Sequence, residues 1–220
     1  MSNIAAWPPA TGLTTKIVPR KDAILQVSHA TRVQAPASLV FDTVLRVENY
    51  TQWNTWVRSA RIQTQPPSSD TKVDPNDFSH MRIGSTMTFD VVMDPNKPKS
   101  VNYTNLKVVD ICTPSAPTSY LTPEILADPT FTADLSKVYR VCWTGHGGMY
   151  SYGSIMKLER FHEIIVLGDN ECEVRTWEIM SGLLTRVVKI MYEETLKVKL
   201  GIWCADLKTQ SEKLHAADSH

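Results

Sequence analysis

The longest periodic run in the chain lies near its end. From about residue 183 to 214, Leu184, Val187, Val188, Met191, Val198, Ile202 and Ala205 fall on one stripe at helical spacing, with Thr195 in its middle. Tyr192, Leu196, Leu200, Trp203 and Leu207 form a second stripe beside it. Arg186, Glu193, Glu194, Lys197 and Lys208 share the remaining side. The pattern predicts one long helix with about half or more of its circumference buried, wider than the face of an ordinary surface helix. Such a helix needs a concave sheet or a partner to cover it.

Upstream, the period falls to two. Val27, His29, Thr31 and Val33 alternate with Ser28, Ala30, Arg32 and Gln34, which predicts a first strand over 26–35 that Pro36 ends. Pro36 also suits a helix start, and Leu39, Val40, Val44 and Val47 give a short helix over 37–47. A second small helix over 48–57 turns Tyr50, Trp53 and Trp56 toward the core. Strands follow over 57–65, 84–93, 101–111 and 137–144, and a long hairpin joins 154–166 to 171–180 through Gly168-Asp169-Asn170. Asp94-Pro95-Asn96 marks a turn, and Ser181-Gly182 breaks the last strand before the helix.

Four stretches lack periodicity. Residues 1–23, with Trp7-Pro8-Pro9, Gly12 and Pro19, read as an arm on the surface; 66–80 and 114–135 read as polar, Pro-rich loop inserts; 216–220 is a tail. One domain, 24–215, remains. Its expected class is α+β: a curved antiparallel sheet of about six to seven strands wrapped around a long C-terminal helix, with two short helices after strand 1 and a cavity between sheet and helix.

Composition narrows the partners. Lysine plus arginine equals aspartate plus glutamate, 23 of each, so no global field attracts nucleic acid or an anionic membrane. The four cysteines, Cys112, Cys142, Cys172 and Cys204, lie some thirty residues apart without metal-ligand spacing, and are expected to be buried thiols rather than zinc ligands. No stretch is long and apolar enough to span a bilayer. A soluble, cytoplasmic location follows as the expectation.

Several landmarks occur in a telling order: Val33-Gln34-Ala35-Pro36-Ala37, Asn49-Tyr50-Thr51-Gln52-Trp53-Asn54, Val141-Cys142-Trp143, Arg160-Phe161-His162-Glu163 and Glu178-Ile179-Met180-Ser181-Gly182-Leu183-Leu184. From about Gln26 to Leu214 the chain resembles the START-like helix-grip superfamily (SRPBCC), and within it the polyketide cyclase/dehydrase type. The resemblance implies a deep hydrophobic pocket between sheet and helix. Its members include lipid, sterol and quinone carriers as well as enzymes acting on polyketide-like substrates, and inserts near a pocket mouth would act as lids.

Candidate chemistry comes from the hairpin. With period two, Met156, Leu158, Arg160, His162 and Ile164 share one face, and Val174, Thr176, Glu178 and Met180 share the matching one. Arg160, His162 and Glu178 then enter the cavity together: His162 to move a proton, Arg160 to hold an enolate or carboxylate, Glu178 to orient either. A purely structural Arg160–Glu178 pair is the competing reading, since buried charges need partners whatever the function. Met87, Phe89, Tyr139, Trp143, Met156, Thr176, Met191 and Thr195 are the expected wall, and His146, Tyr150 and Tyr152 the expected mouth. The functional expectation is binding of a hydrophobic polyketide- or terpenoid-like molecule with cyclisation, dehydration or isomerisation, pericyclic closure included, without cofactor or metal. The alternative is a non-catalytic lipid, sterol or quinone carrier or sensor. Excess apolar surface on the helix would be covered by a homodimer.

Overall fold

The computed structural model describes residues 15–67, 74, 77–94, 100–127 and 134–218. Trp7-Pro8-Pro9 and Gly12 of the arm, Pro95 and Asn96 of the turn, the middle of both inserts and the last two tail residues lie outside the described residues. Among the described residues seven strands form one antiparallel sheet: β1 (Ala23–Val33), β2 (Val57–Thr64), β3 (Thr86–Val91), β4 (Asn102–Cys112), β5 (Val138–Gly145), β6 (Lys157–Gly168) and β7 (Glu171–Ser181). Their order across the sheet is β1-β7-β6-β5-β4-β3-β2, so β2 to β7 run as a meander and β1 closes on the last strand. Helices α1 (Ala37–Leu45) and α2 (Tyr50–Trp53) follow β1, α3 (Pro123–Ala127) sits in the second insert, and α4 (Leu183–Asp218) ends the chain. This is the helix-grip architecture expected from the hydrophobic pattern.

Local chemistry fixes the joints that matter for the cavity. Pro36 precedes the first turn of α1, where a missing N–H costs nothing. Tyr50 donates its hydroxyl to the Val44 carbonyl at 2.8 Å and ties α2 to α1. Asn54 Oδ1 accepts the Trp56 and Val57 amides at 3.0 and 2.7 Å, an Asx turn that aims Trp56 at the concave face. Asp206 of α4 accepts the Thr55 amide and hydroxyl, both at 2.8 Å, and locks that turn to the long helix. Gly182 has φ +100°, and a Cβ there would meet the Ile155 carbonyl oxygen at 2.5 Å, so glycine is needed where β7 gives way to α4.

Both faces of the sheet are covered. On the concave side the main core gathers Leu25, Val27, Trp53, Phe89, Trp143 and Leu158 beneath α4. On the convex side Val18, Leu121, Ile125, Cys142, Phe161, Trp177 and Ile179 make a second core, with the Phe161 and Trp177 rings stacked at 3.9 Å. This changes two expectations. The described end of the arm is anchored, with Thr15 and Val18 buried while Lys16 and residues 20–22 stay exposed. The described part of the second insert covers the back of the sheet, so it is no lid. Glu159 and Glu163, which alternate with Arg160 and His162 along β6, face away from the cavity and are buried as well, because that side carries its own apolar cover.

The long helix corrects a further expectation, because it buries one of its two apolar stripes rather than both. Leu196, Leu200, Trp203 and Leu207, the second stripe, go under, whereas Val187, Met191, Val198 and Ala205 of the first stay exposed.

Candidate functional site

Between the concave face and α4 lies a cavity of about 130 Å³. Its walls are apolar: Phe89 and Val91 from β3, Leu106 from β4, Trp143 from β5, Met156 and Leu158 leading into β6, Met180 from β7 and Leu196 from α4. Trp56 and Val57 close one end. Met93, Thr104 and Tyr150 are half-buried and make the rim. Only Arg160 and Glu178 bring charge-capable groups onto this wall.

Strand register places those two. Arg160 on β6 stands opposite Glu178 on β7 and opposite Trp143 on β5. The guanidinium lies over three indoles, 4.9 Å from the Trp56 ring, 5.6 Å from Trp203 and 6.0 Å from Trp143. Such faces are electron-rich and attract a cation. Its Nε and Nη2 are nevertheless buried without a hydrogen-bond partner, and among the described residues it forms no ion pair with Glu178. Burial lowers the arginine pKa, opposed by the nearby Glu178 charge. Burial likewise raises the Glu178 carboxyl above its ordinary range, opposed by Arg160. The same effect pushes the Tyr150 phenol up to about 12, with Glu178 adding to it. One cation with open donors, one carboxyl biased toward its neutral form and one neutral phenol thus meet at the cavity.

The remaining predicted residues separate into groups. Phe89, Trp143, Met156 and Tyr150 are on the wall or rim, as read from the sequence. His162 is not: its ring is fully buried between Trp143 and Trp203, at 4.3 and 4.2 Å, with both nitrogens unpartnered. Burial and then the Arg160 charge hold its pKa well below the usual histidine value, so it is a neutral ring in an aromatic stack. Thr176, its neighbour across the strands, is buried beside it and off the wall. Met87 is core, and Tyr139 packs on Phe41 at 5.3 Å, away from the cavity. Met191 is exposed and Thr195 half-buried, because α4 turns its other stripe inward. His146 and Tyr152 are exposed beyond the rim.

Sequence reasoning left Trp56 as plain core and overlooked Leu196. The Asn54 turn held the signal for the first, the second apolar stripe of the helix for the other. Among the described residues no cluster of three or more histidine, cysteine or carboxylate groups could hold a metal ion. No described helix is long and apolar enough to cross a membrane. All four cysteines are buried and free.

This combination is that of a helix-grip fold with an apolar cavity beneath its long helix. A family model described as polyketide cyclase/dehydrase and lipid transport matches residues 33–117. The chain is 24% identical over 208 residues, 90% of its length and 92% of the relative's, to "Oxopyrrolidines biosynthesis cluster protein O" of Penicillium oxalicum. Among solved structures it resembles a START superfamily protein from Mycobacterium smegmatis, with TM-score 0.55, 17% identity and coverage of 86% and 98% of the two chains. It also resembles the Zhui aromatase/cyclase from Streptomyces sp. R1128, with TM-score 0.55, 10% identity and coverage of 86% and 94%. The chain therefore has the START-like helix-grip fold, and its residues 33–117 are similar to the polyketide cyclase/dehydrase and lipid transport family.

Proposed function

We propose that the cavity binds a hydrophobic small molecule through an acidic enol or carbonyl oxygen and promotes a cofactor-free cyclisation, dehydration or isomerisation in secondary metabolism. The observation that carries this is Arg160: a buried cation on an apolar wall whose Nε and Nη2 have no protein partner. An unpaired buried guanidinium is costly, so its persistence favours a role in recognising a ligand anion. An enolate oxygen placed on Arg160 would have its charge stabilised as it develops, while the neutral Glu178 carboxyl could give a proton to a leaving hydroxyl. A cavity of about 130 Å³ suits one ring, with the rest of the ligand passing the Tyr150 rim. A biosynthesis-cluster relative named for oxopyrrolidines makes oxo-substituted pyrrolidine rings with an ionisable enol the first class to try.

The test is titration of indole fluorescence with an acyl pyrrolidine-2,4-dione and with its O-methyl ether, which cannot ionise. The acid should bind more tightly, and Arg160→Met should lose on the order of 30-fold in its affinity, as for an unpaired charge-assisted contact. Equal binding of the ether, indifferent to Arg160→Met, would sink the proposal. Conversion is followed separately by mass spectrometry of a linear β-keto amide precursor. Tight binding with no loss of water or change of isomer would favour the carrier reading, which the otherwise apolar wall also supports.

A further inference from the structure

The first half of α4 buries one residue between Gly182 and Thr195, Thr185, and turns an apolar stripe outward. Ile190 is 87% exposed, Leu183 70%, Val198 61% and Met191 60%, with Val187 between them. By helical geometry these lie opposite the Leu196–Leu200–Trp203 stripe that faces the sheet. They form one band on the order of 22 Å long at 1.5 Å per residue. A band of this size on solvent is unusual for an isolated protein.

We propose that this face is the interface of a two-fold dimer in which the first halves of two α4 helices pack antiparallel. The pattern is self-complementary. An axis between Ile190 and Met191 sets Ile190 against Met191 of the second copy, and Leu183 against its Val198. The same register brings Arg186 to within two positions of Glu193 and Glu194 of the other helix, about 3 Å along the axis. Symmetry repeats that pair on the far side. Arg186 is exposed with no ion pair among the described residues, while Glu193 and Glu194 share Lys197, at 3.2 and 2.6 Å. Glu194 lies within the apolar band, where insertion into a lipid surface would strand its carboxylate. A second copy supplies it with an arginine.

The interface would also reach the cavity rim. The Leu183 and Leu184 amides donate to the Ser154 and Ile155 carbonyls at 3.1 and 3.0 Å, in the segment that carries Tyr150 and Met156. This inference rests on the helix face alone and is independent of what the cavity binds.

The experiment is sedimentation velocity of the full chain over a concentration series. The expected result is a reversible monomer–dimer equilibrium. Ile190→Glu, which sets two carboxylates at the axis, should weaken it by at least tenfold, on the order expected for a central interface residue. Its circular dichroism should stay that of the parent, and its melting should match the parent's at concentrations where both are monomeric, since Ile190 is 87% exposed. Arg186→Glu should also weaken the dimer, and adding Glu193→Arg and Glu194→Arg should restore it, which a non-specific apolar contact would not do. A wild-type chain that stays monomeric overturns the proposal, whether or not it floats with anionic vesicles. So does a dimer insensitive to Ile190→Glu, or a charge reversal that fails to rescue.

Discussion

The sheet carries buried arginines on both faces, Arg140 and Arg175 on the convex one and Arg160 on the concave one, and the two faces treat them differently. On the convex face Arg140 donates from Nε to Asp110 at 2.8 Å and from Nη2 to Thr118 at 3.1 Å. Around it the Glu159 carboxylate accepts from the Tyr120 hydroxyl and the Ile17 amide, and Arg175 is hydrogen-bonded to Glu173. On the concave face Arg160 has three indoles but no acceptor, and His162 has two indoles and no partner for either nitrogen. Arg140 and Arg175 each keep a protein carboxylate beside them, although one Nη1 of each is buried without a partner, whereas among the described residues Arg160 has no carboxylate hydrogen-bonded to it at all. The first arrangement serves the insert and N-terminal segment that cover the sheet; the second leaves the Arg160 Nε and Nη2 donors without a protein acceptor.

Mutation should separate the two faces sharply. The largest effect is expected on the convex side. Arg140→Met leaves Asp110 buried without its cation and should cost about 3–5 kcal/mol in urea unfolding. If it cost no more than a surface change, the structural role of that layer would be lost. Arg160→Met should move the other way, gaining about 1–3 kcal/mol, because unsatisfied buried donors are removed and burial already biases Glu178 toward its neutral form. A strongly destabilised Arg160→Met would mean that the concave arginine is a structural partner after all.

His162 gives a pH signature. Its folded pKa is depressed below the unfolded value near 6.5, so the unfolded chain takes up a proton that the native one refuses. Stability is therefore full above about pH 6.5 and falls as the pH drops, by up to about 1.4 kcal/mol per unit from this group. His162→Phe should flatten that part of the urea-midpoint profile, and an unchanged slope would assign the acid sensitivity elsewhere. A last effect of about 1–3 kcal/mol is expected for Gly145→Ala, the range for overpacking. There a Cβ would fall 2.2 Å from the Tyr150 ring and displace it from the rim, so ligand affinity should shift several-fold as well, and affinity unchanged would remove Tyr150 from the rim.

What could be read from the sequence follows the physics of each signal. Strand alternation put Arg160 and Glu178 on one inward face because period two survives wherever the register is regular, and β6 and β7 pair without a shift from Lys157 to Val166. The helix was plain from its length, but its two apolar stripes were equivalent in pattern. Only the packing of Trp203 against Trp53 and His162 shows which one goes inward. His162 was read as a working base because alternation gives direction without depth. Its place between Trp143 and Trp203 depends on contacts between residues far apart in the chain. The convex cover was invisible for the same reason, since Val18, Leu121 and Ile125 sit in stretches with no period of their own.

The sheet order carries a consequence for how the protein is made. Strand β1 emerges first from synthesis but pairs only with β7, about 140 residues later, and α4 follows that. Until the end of the chain is available, β1 has no neighbour and Trp53, Trp56 and Trp143 have no helix above them. The ligand cavity is then the last compartment to be enclosed, and a nascent or C-terminally shortened chain presents its aromatic lining as a sticky surface for chaperones or aggregation.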